Sequence, residues 1–190
     1  MRIYLKDQTK HFPKHLELLR KRKVKPYDKE KLTEKTTTIY INTTKELHEL
    51  PANILFDYKI FPNNIMSYLT QWTFENRQIQ IGDTIVQQAY IPPFRYLSQK
   101  IIFGVRINNI IKEPNRIGFS YETLEGHVEK GISIFTIEKT PDQKTVFKVH
   151  TFSQLGTLLT KLVGSILSVP YQTFCTRQGL LNVKHQLENS

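Results

Sequence analysis

The stretch QKIIFGVRINNII, Gln99–Ile111, constrains the fold of this chain more than any other. Ile101, Phe103, Val105, Ile107 and Ile111 share one parity, with Lys100, Gly104, Arg106 and Asn108 on the other. Residues two apart in an extended chain project to the same face, so the alternation predicts a strand with one apolar face and one mixed face. A strand of this kind needs paired neighbours, and the flanking sequence supplies them.

Period two begins near Ile79, in IQIGDTIVQQAYI, and Pro92-Pro93 should stop that strand because proline donates no ladder hydrogen bond. After Ile111, KEPNRIG reads as a turn, GFSYETL as a strand and EGHVEKG as a second turn. ISIFTIEK follows as a strand, TPDQKT as a third turn and VFKVHTF as a last strand. Connections this short can join only antiparallel neighbours. Upstream, TTTIYINTT (36–44) is rich in β-branched residues and predicts a further strand. Two short helical pieces are expected between Lys45 and Trp72. One lies near Lys45–Leu50, and the other follows Pro62, where Ile65, Met66, Leu69 and Trp72 fall at helical spacing.

Beyond Phe152 the period returns to 3.6. Ser153 reads as an N-cap, and Leu155, Leu158, Leu159, Leu162, Val163, Ile166 and Leu167 form an apolar stripe. Pro170 is expected to bend this helix, which resumes through Leu181. Such a stripe must be buried, and the meander is the surface available. The order of elements therefore predicts an α+β helix-grip fold over residues 36–188: a curved antiparallel sheet wrapped around a long C-terminal helix, with a cavity between them.

The formal charge of +10 is unevenly spread. Residues 1–35 hold twelve Lys and Arg against five Asp and Glu, while the remainder is nearly balanced. These 35 residues read as a basic N-terminal extension with a short helix from about His11, Leu16 and Leu19 lying on one of its faces. A basic segment suits nucleic acid, an anionic surface or plain solvation. One cysteine, Cys175, gives no disulfide framework and fits a reducing compartment, so a cytoplasmic location is expected. No stretch reads as a transmembrane segment, since Leu162–Thr176 is too short and too polar.

The segment GFSYETLEGHVEKG, Gly118–Gly131, resembles the signature of the DUF1990 family, a domain of unknown function grouped with the START-like, Bet v-like helix-grip proteins. The resemblance is carried by Gly118, Tyr121, Thr123-Leu124, Gly126-His127, Glu129 and Gly131, with VFKVHTFS resembling the aromatic strand that opens the family's last helix. It spans about Ile39 to Val183 and implies the helix-grip fold. Three departures stand out: Glu122 replaces a Gly, Glu125 and Val128 replace prolines near the His, and Ile132-Ser133 stands where further Glu is common.

His127 and Glu129, two apart, are able to converge on one side of an extended segment, and a carboxylate beside an imidazole raises its pKa and makes an acid–base pair. Tyr121 and Thr123 share a face of the incoming strand. These four are the expected ligand-binding residues, at the polar rim of an apolar cavity that takes a small apolar or amphipathic ligand. The same residues also suit a plain hairpin in which Gly126 and Gly131 supply the backbone angles and His and Glu bond the turn. The two alternatives are an enzyme using His127 and Glu129, and a nucleic-acid or anionic-surface binder working through the basic segment. One His and one Glu fall short of a zinc ligand set, so no metal is expected. Without a Gly-rich phosphate loop or a Ser elbow, no cofactor is expected either.

Overall fold

The computed structural model describes residues 2–92, 98–155 and 165–190. Its centre is an eight-stranded antiparallel sheet. The strands are β1 (Arg2–Tyr4), β2 (Thr33–Ile41), β3 (Met66–Thr70), β4 (Thr84–Ile91), β5 (Gln99–Glu113), β6 (Arg116–Thr123), β7 (Glu129–Lys139) and β8 (Thr145–Leu155). Their order is β2-β8-β7-β6-β5-β4-β3, with β1 paired to β5 off this path. The helices are α1 (Phe12–Arg20), α2 (Asn53–Phe56), α3 (Gln71–Phe74) and α4 (Ser165–Glu188).

The meander from β4 to β8 follows the sequence pattern closely, and β4 ends at Ile91, directly before Pro92. The long strand β5 puts Ile101, Phe103, Val105 and Ile107 on the face that looks toward α4, where Val105 and Ile107 join the main core. A register shift between Ile107 and Asn109 then reverses the parity. Ile110, not Ile111, packs against that core beyond the bulge, opposite Phe119.

Two expected helical segments are strands. Met66–Thr70 has helical spacing, but it pairs with Ala89–Ile85 of β4; sheet pairing outweighs a four-residue apolar pattern. The chain becomes helical only at α3, whose N-cap Thr70 accepts the Thr73 N–H through Oγ1. Likewise Ser153 is no N-cap. It lies within β8, paired with Gly131 on one side and Thr33 on the other, and Leu155 pairs with Glu129. Leu158, Leu159, Leu162 and Val163 of the expected stripe lie outside the described residues. The helix α4 contains Pro170 and runs to Glu188, beyond the expected Leu181.

The main core lies between the sheet and the C-terminal half of α4. Leu180, Val183 and Leu187 meet Phe119, Phe135 and Phe147 there, with α2 and Trp72 closing one end. On the opposite face α1 buries Phe12, Leu16 and Leu19 against Val86, Ile102 and Leu124. Within residues 1–35, therefore, β1 extends the sheet and α1 covers it. Both β1 and β6 pair with β5: Thr123 meets Val105, and β1 takes over at Ile102 where β6 has ended. The gap in the ladder is where the signature hairpin leaves the sheet.

Candidate functional site

The hairpin between β6 and β7 is built by its backbone. Gly126 has φ +83° and Gly131 φ +140°, a region that L side chains rarely adopt. At Gly131 a Cβ would lie 1.9 Å from the Phe152 carbonyl oxygen, so β7 approaches β8 too closely for any other residue. The Gly131 N–H donates to Thr123 Oγ1 at 3.1 Å, and the His127 N–H closes the turn on the Leu124 carbonyl at 3.0 Å.

A segment of the basic N-terminus straps this hairpin down. The Lys25 N–H donates to the Thr123 carbonyl at 2.8 Å, and the Glu125 N–H donates to the Lys23 carbonyl at 3.0 Å. The Tyr27 hydroxyl donates to Glu122 Oε1 at 2.6 Å. Lys25 Nζ reaches the carbonyls of His127 (3.1 Å) and Glu129 (3.4 Å). Six basic residues between Arg20 and Lys29 read as surface charge in the sequence. The pairing of Lys25 with the hairpin is a contact over a hundred positions away, which no local pattern encodes.

Between the sheet and α4 lies a cavity of about 440 Å³. Much of its wall is apolar, formed by Ile65, Met66, Ala89, Ile101, Phe103 and Val149 among others. Tyr121, His127 and Glu129 line it as well, so three of the four expected residues share one space. Thr123 does not line it; its hydroxyl holds the hairpin at Gly131. Ser133 also lies on the wall and pairs in register with Tyr121. From α4 come Tyr171, Gln172 and Cys175, and from β4 comes Gln87. The sequence signal for the α4 group was the mixed polar stretch after Pro170, which resembles an ordinary helix surface.

His127 and Glu129 do not form a side-chain pair. The Glu129 backbone N–H donates to His127 Nδ1 at 3.0 Å, while the Glu129 carboxyl accepts from Gln172 Nε2. His127 is 9% exposed and stands edge-on to Phe103, ring centroids 4.4 Å apart. Burial, and then the charge of Lys25, push its pKa down to about 3 instead of raising it. The ring is therefore neutral at physiological pH. With Nδ1 accepting, Nε2 carries the proton. Burial shifts the Glu129 pKa upward, against hydrogen bonding from Gln172 and the charge of Lys25. Burial also raises Tyr121, opposed by its hydrogen-bond partners Tyr58, Ser133 and Gln87. Cys175 is pushed up to about 11, again chiefly by burial, so it is a thiol and not a nucleophilic thiolate.

Among the aromatic residues around Pro92, Tyr90 is fully buried, and Phe103 lines the cavity. Phe94 and Tyr96 lie outside the described residues. No helix among the described residues is long and apolar enough to cross a membrane. No group of three or more potential metal ligands occurs among them.

The sequence that builds this α+β sheet and its hairpin matches a known family. The chain belongs to DUF1990, a domain of unknown function, whose model matches residues 30–180. Among solved structures it is similar to a Deinococcus radiodurans protein, at 14% identity and a TM-score of 0.44, covering 83% of this chain and 98% of that one. It is also similar to a hypothetical protein from Helicobacter pylori, at 10% identity and a TM-score of 0.49, covering 83% and 86%. A Chromobacterium violaceum protein is similar at 12% identity and a TM-score of 0.45, covering 82% and 96%. No curated protein matches the chain.

Proposed function

We propose that this protein has a START-like helix-grip fold and binds a small, largely apolar ligand between the sheet and α4. The observation that carries the reading is the 440 Å³ cavity, apolar over much of its wall and polar where the signature hairpin reaches it. A concave, largely apolar space of this size with a few polar groups along it is the usual form of a small-molecule site. Tyr121, His127 and Glu129 orient the ligand's polar end, and Thr123 supports them by fixing the hairpin. An acid–base role for His127 draws no support from its surroundings: a ring with a pKa near 3 is a weak base, and its partner is a backbone amide.

Native mass spectrometry of the full chain after exposure to cell extract tests the proposal. The wild type should carry a small-molecule mass that mild activation strips off. Ala89→Phe, which fills the cavity from its wall, should carry none. A bare mass for both proteins would count against binding.

A further inference from the structure

Glu129 is the one acidic residue on the cavity wall among the described residues. Asp83 and Glu138 are each paired with a base. Asp83 meets Arg77 at 2.5 Å, and Glu138 meets Arg116 at 3.0 Å and Lys148 at 2.6 Å. Among the described residues Glu129 has no such ion pair, and its carboxyl is held by the amide of Gln172. The nearby cations are otherwise engaged. Lys25 spends its ammonium on the main-chain carbonyls of His127 and Glu129, and Lys35, at the rim, reaches Thr173 Oγ1 at 3.4 Å. A half-buried carboxyl without a counter-ion is costly, and a cation brought in by a ligand relieves that cost.

The surroundings favour such a cation. Tyr121, Phe103 and Tyr171 line the same space, and the faces of aromatic rings attract positive charge. His127, held neutral by burial and by Lys25, does not repel one. Tyr121, Tyr171 and Cys175 also lie within electrostatic reach of Glu129, and burial keeps all three in their neutral forms. Lys25 is the competing charge, and burial and Lys130 lower its own pKa.

We infer that the ligand is an organic amine, its ammonium paired with the Glu129 carboxylate and its apolar body lying along Ile65, Ala89, Ile101 and Val149. This rests on the binding reading above and names the chemical class of the ligand. The upward shift that burial gives the Glu129 pKa agrees with it, because a bound ammonium offsets that penalty on the ionised form.

The test is calorimetric titration of hexylamine, hexanol and hexanoate into the full chain at neutral pH, with Glu129→Gln and Ala89→Phe alongside. A charge-assisted pair should make hexylamine bind roughly ten-fold or more tightly than hexanol. Glu129→Gln should lose that preference while still taking up hexanol, and Ala89→Phe should bind none of the three. Equal affinities for amine and alcohol in the wild type, tighter binding of hexanoate, or a preference that survives Glu129→Gln would each overturn the inference and leave the binding reading standing. Absence of binding by all three, or binding that survives Ala89→Phe, would overturn both. The wild-type ranking needs no variant, so it decides the matter even where a variant does not fold.

Discussion

Between pH 7 and pH 5, acid should destabilise this protein through His127. In an unfolded chain its imidazole takes a proton near pH 6.5; in the folded state burial and Lys25 hold it off until about pH 3. The folded pKa is depressed, so between these values the unfolded chain binds more protons at this position, and stability is lost as pH falls. Each unit in that window costs about 1.4 kcal/mol, and the step from pH 7 to pH 5 costs about 2 kcal/mol. Glu129 works the other way. Its raised pKa favours the folded state as pH falls, so a single melt of the wild type would mix the two effects. The comparison with His127→Asn separates them, because Asn keeps an acceptor near the Nδ1 position for the Glu129 N–H and does not titrate. Urea unfolding followed by circular dichroism at pH 7 and pH 5 supplies the numbers. The wild type should lose about 2 kcal/mol more than the variant between the two conditions. Equal losses, within about 0.5 kcal/mol, would refute the burial argument. So would an NMR titration in which the His127 ring protonates near pH 6.5.

At neutral pH Glu129→Gln should melt higher than the wild type, since it removes a carboxyl that burial penalises yet keeps an acceptor for Gln172, and the difference should close as acid protonates Glu129. Leu16→Ala should cost roughly 2–5 kcal/mol, because α1 buries that side chain on the sheet, while Leu18→Ala, at a residue 51% exposed, should stay within about 0.5 kcal/mol. Equal effects in denaturant melts would contradict the packing of α1. Gly131→Ala should lose at least about 1–3 kcal/mol from backbone strain alone, with the clash against Phe152 adding to it; a wild-type melt would show that β7 lies farther from β8. Iodoacetamide at pH 8 should modify Cys175 at least about a hundred-fold more slowly than free glutathione, as a thiol pushed up to about 11 holds little thiolate.

The sheet was legible where side chains alternate and turns are short, because both signals are local. The runs Thr84–Ile91 and Gln99–Phe152 follow the alternation, apart from the bulge after Ile107. Met66–Thr70 misled because five residues are too few to separate helical from extended spacing, and the deciding contact with β4 is made some twenty positions away. Ser153 misled for a related reason: a hydroxyl before leucines suits a cap, but the ladder with Gly131 and Thr33 holds it in a strand. The hairpin signature pointed to three residues that do line the cavity. Its fourth, Thr123, shares their strand parity but spends its hydroxyl on Gly131. The two-residue spacing of His127 and Glu129 suggested a raised imidazole pKa. Burial, which spacing does not report, drives it down instead. Lys25, Gln172 and Tyr171 were invisible as companions because tertiary packing alone brings them to the hairpin.

The central claim is that the space between the sheet and α4 receives an apolar molecule, and a fluorescence titration with N-phenylnaphthylamine addresses it most directly. The account predicts saturable binding of one dye per chain with a blue-shifted emission, abolished in Ala89→Phe while that variant keeps its cooperative melt. Dye emission that never saturates, or that is the same in wild type and Ala89→Phe, would contradict it.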